Sequence, residues 1–515
     1  MSIFQPEERQ LLESLGRLAD CNPFVPEFVD WERSVLGAGH EPDGAVWSLR
    51  ASGAGESPAF ARLGAAAEEV ARRARERLLQ SRAATLEERS SYARVAVFVL
   101  YQRHADMLHD LHQDAARGRR RVAGFRSFRR DLDHFLDAGR FRLTQAVDPA
   151  HLFACFYQVR RAFHLIYRHI VGASRPAARL RAAVWESIFT HDVQRYWRLL
   201  YDRMQDVTTL ITGPSGTGKE LVARAIGLSR YIPFDAERET FADTLDGAFH
   251  AVNLAAMSPT LIESELFGHR KGAFTGAVQD RVGWLESCPA LGTVLLDEVG
   301  EIDASIQIKL LRVLQTREFQ RVGETTTREF KGKLIAATNR DLEAEMRAGR
   351  FREDLYYRLC SDLIVTPSLR DQLRDAPEEL RNLVRFVCER VIGADGAPQL
   401  ADEVLACVER DLGPDYPWPG NVRELEQCVR NVLVRKRYRP PARREPGGAD
   451  DDVAAALGEG RVTARELLRR YCTTVYARTG SYQETARRLE LDRRTVKQHI
   501  DPELLTRLMP DSESS

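Results

Sequence analysis

"TTLITGPSGTGKELVARAIGL", Thr208 to Leu228, decides the fold of the central part of this chain. A short apolar run, rich in β-branched residues, meets a glycine-rich turn and then a segment with helical spacing. Strand, glycine turn and helix in that order are the context a phosphate-binding loop requires. Gly213, Gly216 and Gly218 let backbone N–H groups face phosphate oxygens, and the helix that follows adds the positive end of its dipole. Lys219 adds a point charge for the β- and γ-phosphates. Gly213, Pro214, Ser215, Gly216, Thr217, Gly218, Lys219 and Glu220 are therefore the candidate nucleotide-binding residues, with ATP and Mg²⁺ as the expected cofactors. Glu220 stands where such loops usually carry a Ser or Thr hydroxyl for the metal.

Downstream, "GTVLLDEVGEI", Gly292 to Ile302, reads as a buried strand ending in two acids. Carboxylates placed there are costly unless a cation compensates them. Asp297 is the expected Mg²⁺ holder, and Glu298 the group that polarises the attacking water. "LIAATNRD", Leu334 to Asp341, ends another apolar strand at Asn339, placed to sense the γ-phosphate or orient water. Phosphoryl transfer also needs positive charge near the leaving group, often an arginine from a neighbouring subunit. "GRFREDLYYRL" offers Arg352 and Arg358, and "YPWPGNVREL" offers Arg423 at a helix start.

Around this centre, 515 residues at about 150 per domain leave room for roughly three domains. With 43% hydrophobic residues, each can bury a core. Strand-like "TTLITG", "HAVNL", "GTVLLDE" and "GKLIAATN" alternate with helical segments, which predicts a parallel sheet covered by helices. Residues 1–179 instead show helical spacing, as at Phe125, Phe128, Leu132 and Phe135, and predict a mostly helical N-terminal domain. Residues 437–460, rich in Pro, Gly and charge, predict a linker. No apolar run approaches the roughly 20 residues of a membrane span, and the first residues lack a basic region followed by an apolar one, so a cytoplasmic protein without membrane contact is expected. The eight cysteines include no C-x-x-C pair, which argues against a zinc knuckle or a disulfide framework.

Net charge is zero, but its distribution is uneven. From Arg461 to Ile500 there are ten Lys/Arg against four acids, a local footprint that suits nucleic acid. "TARE" at Thr463 and "SYQE" at Ser481 read as capping boxes, and Asp492 can cap a third helix. That helix turns Val496 and Ile500 inward. Arg493, Arg494, Thr495, Lys497 and Gln498 become the candidate DNA-binding residues of a helix-turn-helix.

From about Leu180 to Arg435 the chain resembles the AAA+ domain of the bacterial enhancer-binding proteins that activate sigma-54 RNA polymerase. "GPSGTGKE", "ESELFGHRKGAFTGA", "GTVLLDEVGEI", "AATNRDLE", "GRFREDLYYRL" and "YPWPGNVREL" stand in that family's order. The resemblance implies a P-loop AAA+ α/β fold with a helical lid over residues 180–436, and a Fis-like helix-turn-helix over 461–515. It implies Asn253 as the switch that holds Glu298, Arg352 and Arg358 as fingers acting in trans, and Arg423 as a second sensor. It implies that Gly272, Ala273, Phe274, Thr275, Gly276 and Ala277 contact sigma-54. A hexameric ring, enhancer DNA and the sigma-54 holoenzyme are the implied partners. In that setting Phe274 is an aromatic carried bare at a loop tip for a partner to bury.

The chain departs from the family pattern in three places: a longer segment "YIPFDAERETFADTLDG" before Asn253, "CPALGT" before the acidic strand, and "LRDAP" at Leu373–Pro377 in the lid. The N-terminal region shows no receiver-type acidic pocket. It does hold eight of the twelve histidines, including His104, His109, His112, His164 and His169, and a basic run at Arg117–Arg130. Two functional classes stand at this stage: an ATP-driven activator of sigma-54 polymerase, and a DNA-binding regulator or nucleic-acid motor whose nucleotide serves only as a conformational switch. A mere switch has no need of Glu298 with Arg352 and Arg358.

Overall fold

Helix starts in the N-terminal region are written into its local sequence. Proline opens Pro6–Asp20, Pro26–Leu36 and Pro149–His169, where its missing N–H costs no hydrogen bond. Thr85 and Glu88 cap Leu86–Arg103 reciprocally. The computed structural model describes residues 4–37, 58–80, 84–116, 122–136, 148–243, 248–440, 463–502 and 504–505. Contacts divide it into two compact units, Met1–Tyr438 and Arg439–Ser515.

In the first unit the expected helical face is present: Phe125, Phe128, Leu132 and Phe135 are all buried on the helix Phe125–Leu136. The segment longer than the family pattern forms a small antiparallel hairpin, Phe234–Asp235 with Thr240–Phe241. Its two phenylalanines enter the N-terminal core. Phe234 lies 4.8 Å, ring to ring, from both Phe125 and Phe153, and Phe241 lies 4.6 Å from Tyr157. Burying the Phe234 ring stabilises the union by about 2 kcal/mol, and the half-buried Phe241 ring adds less. Residues 244–247 of that segment lie outside the described residues.

The central sheet has five parallel strands: β1 (Thr209–Thr212), β2 (Phe249–Asn253), β3 (Thr293–Asp297), β4 (Lys333–Thr338) and β5 (Asp362–Val365), in the order β5-β1-β4-β3-β2. All six residues of the middle strand β4 are buried, as a parallel strand covered on both faces demands. The phosphate-loop helix Lys219–Gly227 packs against the sheet and also against Pro149–His169 and Arg175–Phe189. Ala162, Ile166, Ile188, Phe189, Val222, Ala223 and Ile226 share one core.

That shared core corrects the expected boundary at 179/180. It falls inside the helix Arg175–Phe189, and the N-terminal helices and the sheet belong to one unit. The boundary at 436/437 shifts as well. Tyr438, expected in the linker, is buried in the lid core and donates to Glu424 Oε1 at 3.2 Å. The rest of the expected linker, residues 441–460, lies outside the described residues.

At "CPALGT" a turn closed by Gly292 N–H to the Pro289 carbonyl, 2.8 Å, leads into β3. The lid comprises Leu369–Asp375, Glu379–Ile392, Ala397–Asp411 and Asn421–Arg435, packed around Leu369, Val384, Val404, Trp418 and Leu425. "LRDAP" closes the first lid helix with Ala376 buried, so the departure leaves lid packing intact.

Among its described residues the second unit carries the helices Ala464–Thr479, Tyr482–Arg488 and Arg493–Gln498. Thr463, Ser481 and Asp492 accept the N–H groups of Glu466, Glu484 and Thr495 at their starts. Glu490, at φ 54°, makes the turn between the last two helices. Val496 and Ala486 face inward, and Arg493, Arg494, Lys497 and Gln498 are exposed. Thr495 departs from expectation: its hydroxyl is committed to the Asp492 carboxylate and it is half-buried, so it serves as a cap partner.

Candidate functional site

The phosphate loop leaves β1 with Gly213, Gly216 and Gly218 all at positive φ, 143°, 79° and 88°. Packing as well as dihedral angle demands two of them. A Cβ on Gly213 would stand 2.2 Å from Thr366 Oγ1, and one on Gly216 would stand 2.3 Å from the Gly420 carbonyl. Lys219 is buried, and its Nζ donates to the Gly213 and Pro214 carbonyls at 3.0 and 3.2 Å. Burial lowers its pKa, an effect opposed by the nearby carboxylates of Glu298 and Asp297. Glu220 turns to Arg224, which donates through Nε and Nη2 at 3.0 and 2.9 Å.

Across from this loop, Asp297 ends β3, and Glu298 follows in the left-handed region at φ 58°. Burial raises the Asp297 pKa first, and the adjacent Glu298 carboxylate raises it further. Such a crowded acidic pair is stabilised by a cation. The residues present therefore fit a magnesium nucleotide: a loop with three glycines at positive φ, a buried lysine, and a crowded carboxyl pair.

Asn253 ends β2 in register with Asp297. Among the described residues it makes no hydrogen bond to Glu298. Glu298 Oε2 instead accepts the backbone N–H of Asn339 at 3.1 Å, so Asn339 meets the Glu298 carboxylate through its main chain.

The lid closes on the loop from above. Arg423 Nη1 donates to Ser215 Oγ at 3.1 Å, and the Val422 N–H reaches the Gly216 carbonyl at 3.0 Å. Sequence reasoning missed two residues of this clamp. Asn421, at φ 53°, donates through Nδ2 to the Ser215 carbonyl at 2.9 Å and accepts the Leu369 N–H at 2.8 Å. Thr366 Oγ1 lies 2.6 Å from Thr217 Oγ1. The signal for Asn421 was its place after Pro-Gly, since asparagine tolerates left-handed backbone.

Arg352 and Arg358 are not brought to this loop. Arg352 is paired with Asp354, at 3.0 Å through Nε and 2.7 Å through Nη2, and Arg358 is exposed on the same helix, Glu353–Leu359.

The loop Gly272–Ala277 rises from paired segments at Gly268–His269 and Arg281–Val282. It is closed by Gly272 N–H to the Ala277 carbonyl, 2.9 Å. Gly272 and Gly276 sit at φ 83° and 102° in open space. Phe274 is not bare. It is half-buried, its ring 4.9 Å from that of His269, which is buried and bonded to Ser264 Oγ at 2.7 Å.

Fold and site together define a P-loop ATPase domain of the AAA+ class. Residues 191–364 match the family model of the sigma-54 interaction domain. It is 44% identical over 267 residues to the Nif-specific regulatory protein of Azotobacter vinelandii, covering 51% of this chain and 45% of that protein. It is 42% identical over 243 residues to the DNA-binding transcriptional regulator NtrC of Rhizobium meliloti, covering 47% and 46%. To the transcriptional regulatory protein ZraR of Escherichia coli it is 40% identical over 296 residues, covering 56% and 62%. The chain thus spans about half the length of the curated relatives it matches. A solved structure of NtrX from Brucella abortus in complex with ATP aligns over 71% of this chain and 76% of its own, at 24% identity and a TM-score of 0.39.

Among the described residues no helix is long and apolar enough to cross a membrane, and no cluster of three or more His, Cys, Asp or Glu is placed to hold a metal ion. Of the N-terminal histidines, His104 Nε2 lies 3.1 Å from Asp131 Oδ2, and the side chain of His112 falls outside the described residues.

Proposed function

We propose that the chain is an ATP-hydrolysing activator of sigma-54 RNA polymerase. It binds upstream enhancer DNA through residues 461–515, assembles into a hexameric ring in the cytoplasm, and uses hydrolysis to remodel the holoenzyme at the promoter. The observation that carries this reading is the union, in one compact unit, of the phosphate loop, the Asp297–Glu298 pair and the loop Gly272–Ala277.

The loop from Gly213 to Lys219 binds the phosphates through backbone N–H groups and the Lys219 ammonium. Mg²⁺, held by Asp297, supplies charge neutralisation at the β- and γ-phosphates. Glu298 accepts the proton of the attacking water and is steered by the Asn339 N–H it already holds. Asn253, one strand away, takes up Glu298 in the other state of the switch. Arg423 reads the nucleotide from the lid. Arg352 leaves Asp354, and with Arg358 it completes the site of a neighbouring subunit. Nucleotide state then frees Phe274 from His269, so that Phe274 and Thr275 grip sigma-54.

The deciding experiment replaces Thr275 with Ala. ATPase and assembly should persist, while capture of sigma-54 with a transition-state nucleotide mimic and promoter opening are lost. If ATPase and thermal stability collapse together, the loop is a plug within its own subunit and the reading fails.

A further inference from the structure

At the edge of the sheet opposite the phosphate loop lies a cavity of about 320 Å³. That is the lower end of the range for pockets that hold small molecules. Among its lining residues are Gln158 from the N-terminal helix Pro149–His169, the rings of Tyr196, Tyr201 and Tyr231, and two cations, Arg230 and Lys333.

Neither cation has a carboxylate partner within ion-pair distance among the described residues. Lys333 Nζ donates only to the carbonyls of Met204 and Val207, at 3.2 and 2.8 Å. Arg230 donates to the carbonyls of Ala290 and Gly292, at 2.9 and 2.6 Å, and to Gln205 Oε1 at 2.9 Å. Carbonyl dipoles satisfy N–H groups but carry no countercharge, and an uncompensated buried ion costs several kcal/mol. Asp206 pairs with Arg317 at 2.8 Å. Asp362, which accepts from Thr209 at 3.0 Å, and Asp202, on the exposed part of the lining, carry negative charge but pair directly with neither cation. Burial holds both cations below their ordinary range, Lys333 at about 8 and Arg230 at about 10. With Arg230 and Lys333 set against Asp202, the lining is left with one positive charge in excess.

We propose that this cavity binds a small organic anion, its carboxylate or phosphate between Arg230 and Lys333 and its apolar body against the tyrosine rings. The placement makes it an effector site. Ile226 and Ser229, on its wall, lie at the far end of the helix that begins at Lys219, about 13 Å at the rise of an α-helix. Lys333 begins the strand that leads to Asn339. Gln158 donates to Tyr196 Oη at 2.7 Å and to the Ser229 carbonyl at 2.9 Å, which joins the N-terminal helices to the same wall.

The test uses the full chain with Lys219→Ala, so that the phosphate loop does not answer for the cavity. The thermal midpoint is measured against millimolar benzoate, phenyl phosphate, inorganic phosphate and neutral benzamide. At least one organic anion should raise the midpoint saturably, and benzamide should not. Preference between benzoate and phenyl phosphate tells a carboxylate site from a phosphate site. Lys333→Met, which removes the uncompensated charge, and Tyr201→Trp, which fills the cavity from its half-buried side, should each abolish the shift. The proposal is overturned if neither organic anion shifts the midpoint, if inorganic phosphate alone does so, or if the shift survives in both variants. Because the Lys219→Ala variant does not bind ATP, the outcome is independent of any action on sigma-54.

Discussion

Asn421, at the start of the last lid helix, donates its side-chain amide to the carbonyl of Ser215 in the phosphate loop, 206 residues earlier, at 2.9 Å. The same side chain accepts the Leu369 N–H, so one residue fastens the loop, the first lid helix and the last. Asn421→Ala should cost about 2 kcal/mol through the polar groups it orphans, and about 1 kcal/mol more for left-handed backbone. Asn421→Gly relieves only the second cost. Urea unfolding of both variants, with ATP affinity measured beside it, checks the ordering; equal losses in the two would remove the backbone term from the account, and an unchanged Asn421→Gly would remove the hydrogen bonds.

Glu298→Gln should retain ATP binding and lower turnover by a factor on the order of 10² or more, since water activation by the carboxylate is lost. Lys219→Ala should instead lose binding. Nucleotide affinity and steady-state hydrolysis separate the two, and parent-like turnover in Glu298→Gln would reassign the base.

Within one chain Arg352 and Arg358 stay away from the phosphate loop, so hydrolysis per subunit should rise steeply with protein concentration. Arg358→Ala and Lys219→Ala subunits, each inactive, should regain activity when mixed, because some interfaces then join an intact Lys219 to a neighbour's intact Arg358. Both variants must first be shown to assemble. Mixtures that remain dead would place the fingers elsewhere.

His169 ends the helix that packs on the phosphate-loop helix, and it is held neutral in the fold. Burial lowers its pKa to about 4, helped by Arg168, Arg224, His164 and Arg390. The unfolded chain binds this proton near its ordinary value of about 6.5. Between those values the unfolded state carries more protons, so stability falls as pH drops from about 6.5 to about 4. His169→Gln lacks this loss, and denaturant midpoints of parent and variant should converge or cross across that window. A constant gap would mean that His169 does not titrate on unfolding.

Deletion of residues 461–515 should abolish site-specific DNA binding and spare ATPase. In the intact protein, binding should weaken steeply with salt, because exposed Arg493, Arg494 and Lys497 release counterions from phosphates. Thr495→Ala should act through helix stability, since its hydroxyl is spent on Asp492. Footprinting across a salt series measures all three effects.

What could be read in advance was what local chemistry encodes. Glycine spacing in the phosphate loop, acids at a strand end, and Thr463, Ser481 and Asp492 before helices all act over a few residues. What escaped depends on partners distant in sequence: Thr366 against Gly213, Asn421 against Ser215, and Arg175–Phe189 sharing a core with β1. Phe274 escaped for another reason. His269 is only five residues away, but no pattern announces that a glycine-rich turn will fold its aromatic onto a buried imidazole.

The hairpin Phe234–Phe241 limits how this architecture can be recombined. Its rings complete the aromatic core of helices that precede the sheet in the chain, so the seam between those helices and the sheet runs through the sequence of the sheet's own segment. A graft that moves residues 1–190 onto another ATPase leaves that core without two of its rings, and leaves the donor engine with two phenylalanines facing water. Portability returns only when residues 231–243 travel with the helices, which makes this short insertion the connector that decides which N-terminal helices and which P-loop sheets are interchangeable.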